Sequence, residues 1–409
     1  MSAPDGAGTS DGAGPSDGAG PADGTTGVRR WAVLVTPVAN RVYAGDAPRL
    51  LAAELALVLG AGGVPADVAV EHVAGLPYVV LTSPGDLDDR SRRAVAAAST
   101  AHALFERRTL PDGAEALVPV PLPVVDLYDD DLLTIPKYPG KTNEHVTRLL
   151  LDLAVAALED GPAGAAGGAP AARRRLRLLD PLAGRGTTLH LALMAGMDAT
   201  GVEVDAGEVD AHRAFLVRWL RTKRLKHSVD AGRLTVAGTR LGDRLRVQVS
   251  PSKEAARAGD VQVLEVLRAD TAAVGPVLAD GSFDLLVTDA PYGVQHGSAR
   301  PGGRGGRAGG AGGGAGRDGA TGRDRGPHDL LERALPVWVP LLRRGGVLAM
   351  SWNTHVLPRP ELVALLERHG LEVLAAGEEG ALAHRVDQAV HRDLVLARRP
   401  GRTPGAAAG

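Results

Sequence analysis

One short segment, LLDPLAGRGTT at residues 178–188, constrains the fold of this chain more than any other. An apolar strand ends at Asp180, and a glycine-rich turn then opens a helix. At the carboxyl end of a parallel strand, such a turn lets a ligand approach the backbone closely. The Gly-Lys-Ser/Thr ending of a phosphate-binding loop is absent, and Asp180 would repel a pyrophosphate but suits a cationic amino-acid group. The segment therefore favours a ligand of the methionine type over a dinucleotide.

Apolar strand patterns alternate with helical patterns around this segment. Helices are predicted at residues 146–158 and 211–225. Strands are predicted at residues 176–179, 200–204, 261–267, 283–288, 346–350 and 390–397. Alternation of this kind is typical of a doubly wound α/β sheet. We therefore predict an α/β fold for the larger part of the chain.

A small α+β N-terminal domain is predicted at residues 29–135. Its strands are expected at residues 31–35 and 78–81, and its helices at 48–59 and 91–105. These predictions rest on the spacing of apolar residues, which alternate in a strand and recur every three or four residues in a helix. Nothing in this region indicates a particular activity.

Amino-acid composition defines the remaining domain boundaries. Residues 1–28 consist mainly of Gly, Ala, Asp, Ser and Pro in imperfect repeats, which bury too little apolar surface to fold. The second domain is predicted at residues 136–398, with a flexible Gly/Arg-rich insertion at 298–326. Residues 399–409 are predicted to be a second disordered tail.

Charge and cysteine content exclude several classes of protein. The formal net charge is −2, so no overall basic field indicates a polyanionic partner. With no cysteine, the chain has no disulfide, thiolate zinc site or thiol nucleophile. No apolar run approaches the ~20 residues of a membrane helix, and the N-terminus lacks a signal-peptide pattern. We predict a cytoplasmic protein without membrane contact or bound metal; the sequence does not indicate its oligomeric state.

Two further acids lie at or just after the ends of successive predicted strands. Glu203 lies where a carboxylate accepts from both hydroxyls of a ribose, and Asp270 lies where it accepts from an adenine amino group. Either acid alone is typical of a solvated strand end or a helix cap. Their order after Asp180 favours a nucleoside-containing ligand.

The segment DLLVTDAPYG at residues 284–293 is the candidate for catalysis. An exocyclic amine on a nucleic-acid base is a poor nucleophile, because its lone pair is delocalised into the ring. Hydrogen-bond acceptors that withdraw this lone pair from conjugation stabilise the developing positive charge. The Asp289 carboxylate and the Ala290 carbonyl are such acceptors. Pro291 stiffens the loop, and Tyr292 offers a face for stacking on an extruded base. By itself the segment also fits an ordinary strand followed by a turn.

Together these segments resemble a known family. Residues 180–188 resemble the DPxxGxGTT loop of amino-methyltransferases, and residues 289–292 resemble their (D/N)PP(Y/F) tetrapeptide. The segment KYPGKTNE at residues 137–144 resembles the one that precedes the cofactor loop in these enzymes. The order of motifs over about 136–397 is similar to the RNA guanine-N2 methyltransferases that often carry THUMP domains, and to related bacterial RNA and DNA methylases.

The resemblance implies a Rossmann-like methyltransferase sheet that binds S-adenosyl-L-methionine (SAM). The residues implied in cofactor binding are Asp180, Leu182, Gly184, Gly186, Thr187, Glu203, Asp270 and Thr142. Those implied in catalysis are Asp289, Ala290, Pro291 and Tyr292. Two features depart from the family: Ala290 replaces a proline, and no THUMP pattern precedes residue 136.

A basic run supplies candidate substrate contacts. Five of the ten residues from 218 to 227 are Lys or Arg, a density that can neutralise phosphates. The expected contacts are Arg221, Lys223, Arg224 and Lys226. The same run is also typical of a solvated helix face.

The sequence thus predicts a SAM-dependent methyltransferase that modifies an exocyclic amino group of an RNA base, with guanine N2 in tRNA or rRNA as the first candidate. A DNA adenine or cytosine amino-methyltransferase is one alternative. Another alternative is a nucleic-acid-binding protein that binds SAM but has lost catalysis. It is suggested by Ala290, which replaces a proline of the family pattern.

Overall fold

The computed structural model describes residues 27–38, 40–64, 66–135, 143–158, 174–290, 326–377, 380–386 and 390–401. Most of the N-terminal tail, the Gly/Arg-rich insertion and the end of the C-terminal tail therefore lie outside the described residues, as do Thr142, Pro291 and Tyr292. In the described part of the chain, no helix is long and apolar enough to cross a membrane.

The N-terminal region is built on a five-stranded antiparallel sheet. In chain order its elements are β1 (Arg29–Val35), α1 (Arg41–Ala61), β2 (Asp67–Val73), β3 (Leu76–Ser83), α2 (Asp89–Ala97), β4 (Ala101–Thr109) and β5 (Glu115–Val120). The strand order is β2-β3-β1-β4-β5. A short 3-10 helix at Asp130–Leu133 follows.

The rest of the chain forms a ten-stranded sheet with helices on both faces. Its first elements are α3 (Glu144–Ala156), β6 (Arg177–Asp180), α4 (Thr187–Met194), β7 (Asp198–Glu203), α5 (Ala206–Thr222), β8 (His227–Val236), β9 (Thr239–Val249), α6 (Lys253–Arg257) and β10 (Gln262–Arg268). Then come β11 (Phe283–Asp289), α7 (Pro327–Leu341), β12 (Leu342–Asn353), α8 (Arg359–Arg368), β13 (Glu372–Val373), β14 (His384–Arg385) and β15 (His391–Arg398).

Five parallel strands form the centre of this sheet, in the order β12-β11-β6-β7-β10. Antiparallel β15 flanks β12, and the antiparallel hairpin β8–β9 extends the sheet beyond β10. The chain leaves β6 towards β7 and β10, then crosses to β11 on the other side. Ligands of open α/β sheets bind outside the carboxyl ends of the strands at such a reversal, which here lies between β6 and β11.

Successive strand residues face two separate cores. Leu178 and Leu285 belong to the apolar cluster that includes side chains of α3, α4 and α5. Their neighbours Leu179 and Leu286 belong to the cluster that includes α7 and α8. Adjacent residues of a strand point to opposite faces, so both faces of the sheet are covered. The predicted doubly wound α/β fold, preceded by a smaller α+β region, is confirmed.

Two local predictions were wrong. The helix expected at 91–105 ends at Ala97, and residues 101–109 form β4, which pairs with both β1 and β5. The helix expected at 211–225 ends at Thr222, and Arg224 has a φ of 54° at the turn into β8. At 101–109, pairing with the distant strand β1 overrides the local preference for helix. After Thr222, the turn at Arg224 ends the helix earlier than expected.

Gly242 generates a prediction for the β8–β9 hairpin. A Cβ at Gly242 would lie 1.8 Å from the Arg268 carbonyl oxygen, whereas a Cβ at Gly232 meets nothing within 4 Å. Gly242→Ala therefore forces β9 away from β10, and we expect a loss of about 1–3 kcal/mol in unfolding free energy. Urea unfolding of both variants is the measurement. Gly232→Ala is the control, and an equal loss in the two variants would contradict the assigned packing.

Candidate active site

Asp180 joins the carboxyl ends of β6 and β11. Its Oδ1 accepts hydrogen bonds from Thr288 Oγ1 at 2.9 Å and from the Leu182 amide at 3.1 Å. Burial raises the pKa of Asp180 to about 6, against the opposing effect of hydrogen bonds from Thr188, Leu182 and Thr288. The two motifs found in the sequence therefore meet at one edge of the sheet.

Glu203 fixes the glycine-rich turn from the neighbouring strand β7. Its Oε2 accepts from the Gly184 amide at 2.9 Å, and its Oε1 accepts from the Asp205 amide at 2.8 Å. Burial raises the pKa of Glu203, and these backbone hydrogen bonds oppose the rise. The carboxylate thus lies beside the turn at the end of its strand, where a ribose is expected.

Two buried histidines lie beneath the turn. Gly186 has a φ of 84°, and a Cβ there would lie 2.6 Å from His212 Cε1. His190 Nε2 and His212 Nε2 are 3.0 Å apart, and neither residue is exposed. Burial lowers the pKa of both imidazoles, that of His212 to about 4. A neutral pair that shares a hydrogen bond therefore supports the turn.

The start of α4 provides donors for an anionic group. Thr187 is the first residue of the helix, 6% of it is exposed, and its Oγ1 has no hydrogen-bond partner among the described residues. The free amides and the dipole at a helix N-terminus favour a carboxylate. An unsatisfied buried hydroxyl at this position fits the carboxylate of an amino-acid ligand.

Asp270 lies at the end of β10, next to the strand that carries Glu203. It is exposed, and its Oδ1 accepts from the Ala272 amide at 3.0 Å as the cap of a short 3-10 helix. Arg333 Nη1 is 3.6 Å from its Oδ2. The carboxylate is at the correct edge of the sheet for the proposed adenine contact.

Asp289 ends β11 and is paired with a buried cation that the sequence did not identify. Arg392 Nη2 lies 3.1 Å from Asp289 Oδ2, and the two side chains are 3% and 19% exposed. Burial lowers the pKa of Arg392, and Asp289 opposes this. Ala290 is 1% exposed, and its amide donates to the Ser351 carbonyl at 2.8 Å.

Ser351 is a second residue that the sequence analysis missed. It lies opposite Asp289 in the β11–β12 register, is 1% exposed, and its Oγ has no partner in the described part of the chain. Its position directly after the predicted strand 346–350 is the sequence feature that could have identified it as a site residue. Arg392 gave no such signal, because nothing in its own segment indicates that it contacts Asp289.

The N-terminal region reaches this site through α1. Arg49 donates from Nη1 to the Ala381 carbonyl and from Nη2 to the Ala383 carbonyl, and Asp46 Oδ2 accepts from the Arg385 amide at 3.2 Å. The strand β14 held in this way pairs with β15, where His384 lies opposite Arg392. The first turns of α1 therefore support the strand that carries the cation of the Asp289 pair.

The predicted substrate contacts lie elsewhere. Arg221, Lys223, Arg224 and Lys226 follow one another at the end of α5 and in the turn after it. His227, which follows them directly, pairs with Val249 of β9, and Val249 pairs with Gln262, the first residue of β10. This run therefore lies at the edge of the sheet where β10 begins, the amino edge. Lys223 is bound there by Asp129 and Asp131, with both distances 2.7 Å. The structure does not bring these four residues together with Asp180 and Asp289.

No group of three or more potential metal-binding His, Cys, Asp or Glu side chains is found among the described residues.

Comparisons with known proteins give similar solved structures but no sequence relative. No protein-family model and no curated protein matches the chain. A TehB-like SAM-dependent methyltransferase from Corynebacterium glutamicum is 14% identical, with 58% of this chain and 92% of that chain covered and a TM-score of 0.30. A SAM-dependent methyltransferase from Methanosarcina mazei is 12% identical over 56% and 95% of the chains, with a TM-score of 0.31. A predicted O-methyltransferase from Agrobacterium tumefaciens is 19% identical over 57% and 78%, with a TM-score of 0.28.

The histidine pair predicts a pH dependence of stability. Because the folded-state pKa of His212 lies below its usual value, the unfolded chain binds more protons below about pH 6.5, and unfolding becomes easier as pH falls towards 4. His212→Gln should reduce the loss of unfolding free energy between pH 7.5 and 4.5 by roughly 2 kcal/mol. The measurement is urea unfolding across this range, with exposed His102→Gln as control. Parallel pH profiles for wild type and His212→Gln would refute the assignment.

The Arg392–Asp289 pair predicts coupled effects on stability. Removing one partner of a buried ion pair leaves the other charge unpaired and costs about 3–5 kcal/mol. We expect Arg392→Met and Asp289→Asn each to lower the unfolding free energy, and the double variant to lose less than the sum of the two. A double-mutant cycle by chemical unfolding measures this coupling. Strict additivity would show that the two side chains do not interact in solution.

Proposed function

We propose that this chain is a SAM-dependent methyltransferase that modifies an exocyclic amino group of an RNA base, with guanine N2 in tRNA or rRNA as the first candidate. The observation that carries the proposal is the 2.9 Å hydrogen bond between Thr288 and Asp180. It brings a turn suited to an amino-acid and nucleoside ligand next to a loop suited to an amine. The order of the motifs along the chain and the strand reversal between β6 and β11 support the same conclusion.

The cofactor would be held along the carboxyl edge of β6, β7 and β10. The Thr187 hydroxyl and the start of α4 would bind its carboxylate, and Glu203 would accept from its ribose hydroxyls. Asp270 would accept from the adenine amino group, while Asp180, Leu182, Gly184 and Gly186 shape the turn. SAM supplies an electrophilic methyl group on a sulfonium.

The chain's own contribution to catalysis is to prepare the nucleophile. The Asp289 carboxylate and the Ala290 carbonyl accept hydrogen bonds from the target amine, which localises its lone pair and stabilises the positive charge that develops on nitrogen. Arg392 fixes the orientation of the carboxylate through Oδ2. Ala290 contributes mainly its backbone carbonyl, which any residue provides, so its departure from the family pattern is compatible with activity. Pro291 and Tyr292 complete the proposed loop.

Two substitutions separate methyl transfer from cofactor binding. We expect Asp289→Ala to lower the transfer rate at least ~100-fold, as when one preorganised polar group is removed from a site of developing charge, with SAM affinity within a few-fold of wild type. Glu203→Gln should weaken SAM binding about tenfold, because it removes a charged hydrogen-bond acceptor. Calorimetry with SAM and incorporation of tritiated methyl groups measure the two effects. Full activity of Asp289→Ala would refute the catalytic role of this residue.

The choice of acceptor in the same assay tests the substrate class. Bulk tRNA, rRNA and genomic DNA are offered separately, and methyl groups entering tRNA or rRNA support the proposal. Labelling of DNA alone would favour a DNA amino-methyltransferase. Tight SAM binding with transfer to none of the three would favour a binding protein without catalysis.

A further inference from the structure

A groove with a volume of about 470 Å³ lies between the start of α5 and the β8–β9 hairpin. Four arginines but only two carboxylates line it, together with small and apolar residues. The cationic side chains are Arg213, Arg233, Arg244 and Arg268, and the acidic ones are Asp210 and Asp243. We call this the arginine groove.

The arginine groove lies on the same edge of the sheet as the proposed active site. Arg268 is the last residue of β10 and pairs in register with Glu203, the last residue of β7. On its other side it pairs with Asp243 of β9. Since neighbouring strands are about 4.8 Å apart, β10 and β9 lie roughly 14 and 19 Å from β11, whose end carries Asp289. A polymer with a base at Asp289 would therefore extend to the groove, whereas a small molecule would not.

The hairpin is held against the sheet where the groove forms. Gly242 lies over the Arg268 carbonyl, a position that only glycine can occupy because a Cβ would lie 1.8 Å from that oxygen. Asp243 then binds Arg268 and, at 2.6 Å, Arg240. Both arginines lower the pKa of Asp243, so its charge is already compensated within the hairpin.

The remaining arginines differ in how far they are neutralised. Arg244 lies 3.3 Å from Asp230 and 3.8 Å from Glu265. Arg213 and Arg233 are exposed, one on α5 and the other on β8, and neither makes an ion pair with another described residue. Asp210, which is also exposed and lies one turn before Arg213 on α5, offsets part of this charge. With Arg213 on α5 and Arg233 on the hairpin, the groove keeps an excess of guanidinium groups, which suits an anionic ligand. Guanidinium binds phosphate through two parallel hydrogen bonds.

We propose that the arginine groove binds the phosphate backbone of the nucleic acid whose base is methylated at Asp289. This inference rests on the proposed function and extends it to a second contact, several nucleotides from the target base. At ~3.4 Å per stacked nucleotide, a separation of roughly 14 to 19 Å corresponds to four to six nucleotides. Arg213 and Arg233 provide the phosphate contacts, and the sequence is not read there.

The groove replaces the basic run at the end of α5 as the nucleic-acid contact. Arg213 lies in the first half of α5, whereas Arg221 lies in its last turn. The 17 residues of this helix span about 25 Å at 1.5 Å per residue. Arg213 is the eighth of these residues and Arg221 the sixteenth, so about 12 Å along the helix separates the two basic surfaces. Only the groove is at the edge that carries Asp180.

The test is fluorescence anisotropy of the full-length protein with a 5′-labelled mixed-sequence 20-nucleotide RNA and its DNA counterpart. Three double variants remove two positive charges each: Arg213→Gln/Arg233→Gln in the groove, Arg221→Gln/Arg224→Gln at the other end of α5, and Lys253→Gln/Arg257→Gln on α6 as matched control. We expect the groove variant to bind RNA at least ~10-fold more weakly and to reduce the slope of log K against log salt by about 1.4. The other two variants should change affinity less than twofold. SAM affinity, measured by calorimetry, should stay within twofold in all three.

The outcomes separate this inference from the proposed function. If wild type methylates RNA and the groove variant binds RNA as well as wild type does, the groove assignment is overturned while the methyltransferase proposal stands. An equal loss in all three double variants also overturns it, because the effect would then be general charge attraction. If wild type binds SAM but neither nucleic acid, the proposed substrate class fails together with the groove. A stronger effect on DNA than on RNA keeps the groove and changes the substrate.

Discussion

The hydrogen bond from Thr288 to Asp180 is the contact on which the rest of the site depends. It joins the ends of two adjacent parallel strands at the position where the chain reverses direction in the sheet. A carboxylate buried there is unfavourable unless donors surround it, and backbone and hydroxyl groups supply them. The glycine turn after β6 and the segment that begins at Asp289 therefore keep a fixed separation.

A second set of contacts supports the turn from below. Glu203 binds the turn through its backbone, while the close approach of His212 to Gly186 leaves no room for a side chain. Each of these residues lies on a different element, so the turn is held from β7 and from α5 at once. Preorganisation of this kind allows a ligand to bind without the cost of ordering the loop.

Sequence reasoning was most successful where a feature depends on neighbours in the chain. The strand, turn and helix around Asp180 are local, and so is the ending of β7 at Glu203; the structure has both. The hairpin β8–β9 was missed because its strands are largely polar and depend on strand pairing, β8 with β9 and β9 with β10. The strand at 101–109 was partly predicted as helix for the same reason. The role of Arg392 could not be predicted from the sequence, because it depends on a contact with Asp289, which lies on another strand.

The contacts between α1 and the strand β14 connect the N-terminal region, residues 29–135, to the site. Arg49 and Asp46 bind the backbone of the segment that leads to His384, and His384 lies opposite Arg392. The apolar cluster beneath α3 likewise includes Leu51 and Leu55 of α1. Such an arrangement makes the N-terminal region part of the frame that holds Arg392 and, through it, Asp289, rather than a tethered module that could be exchanged or deleted without effect on the site.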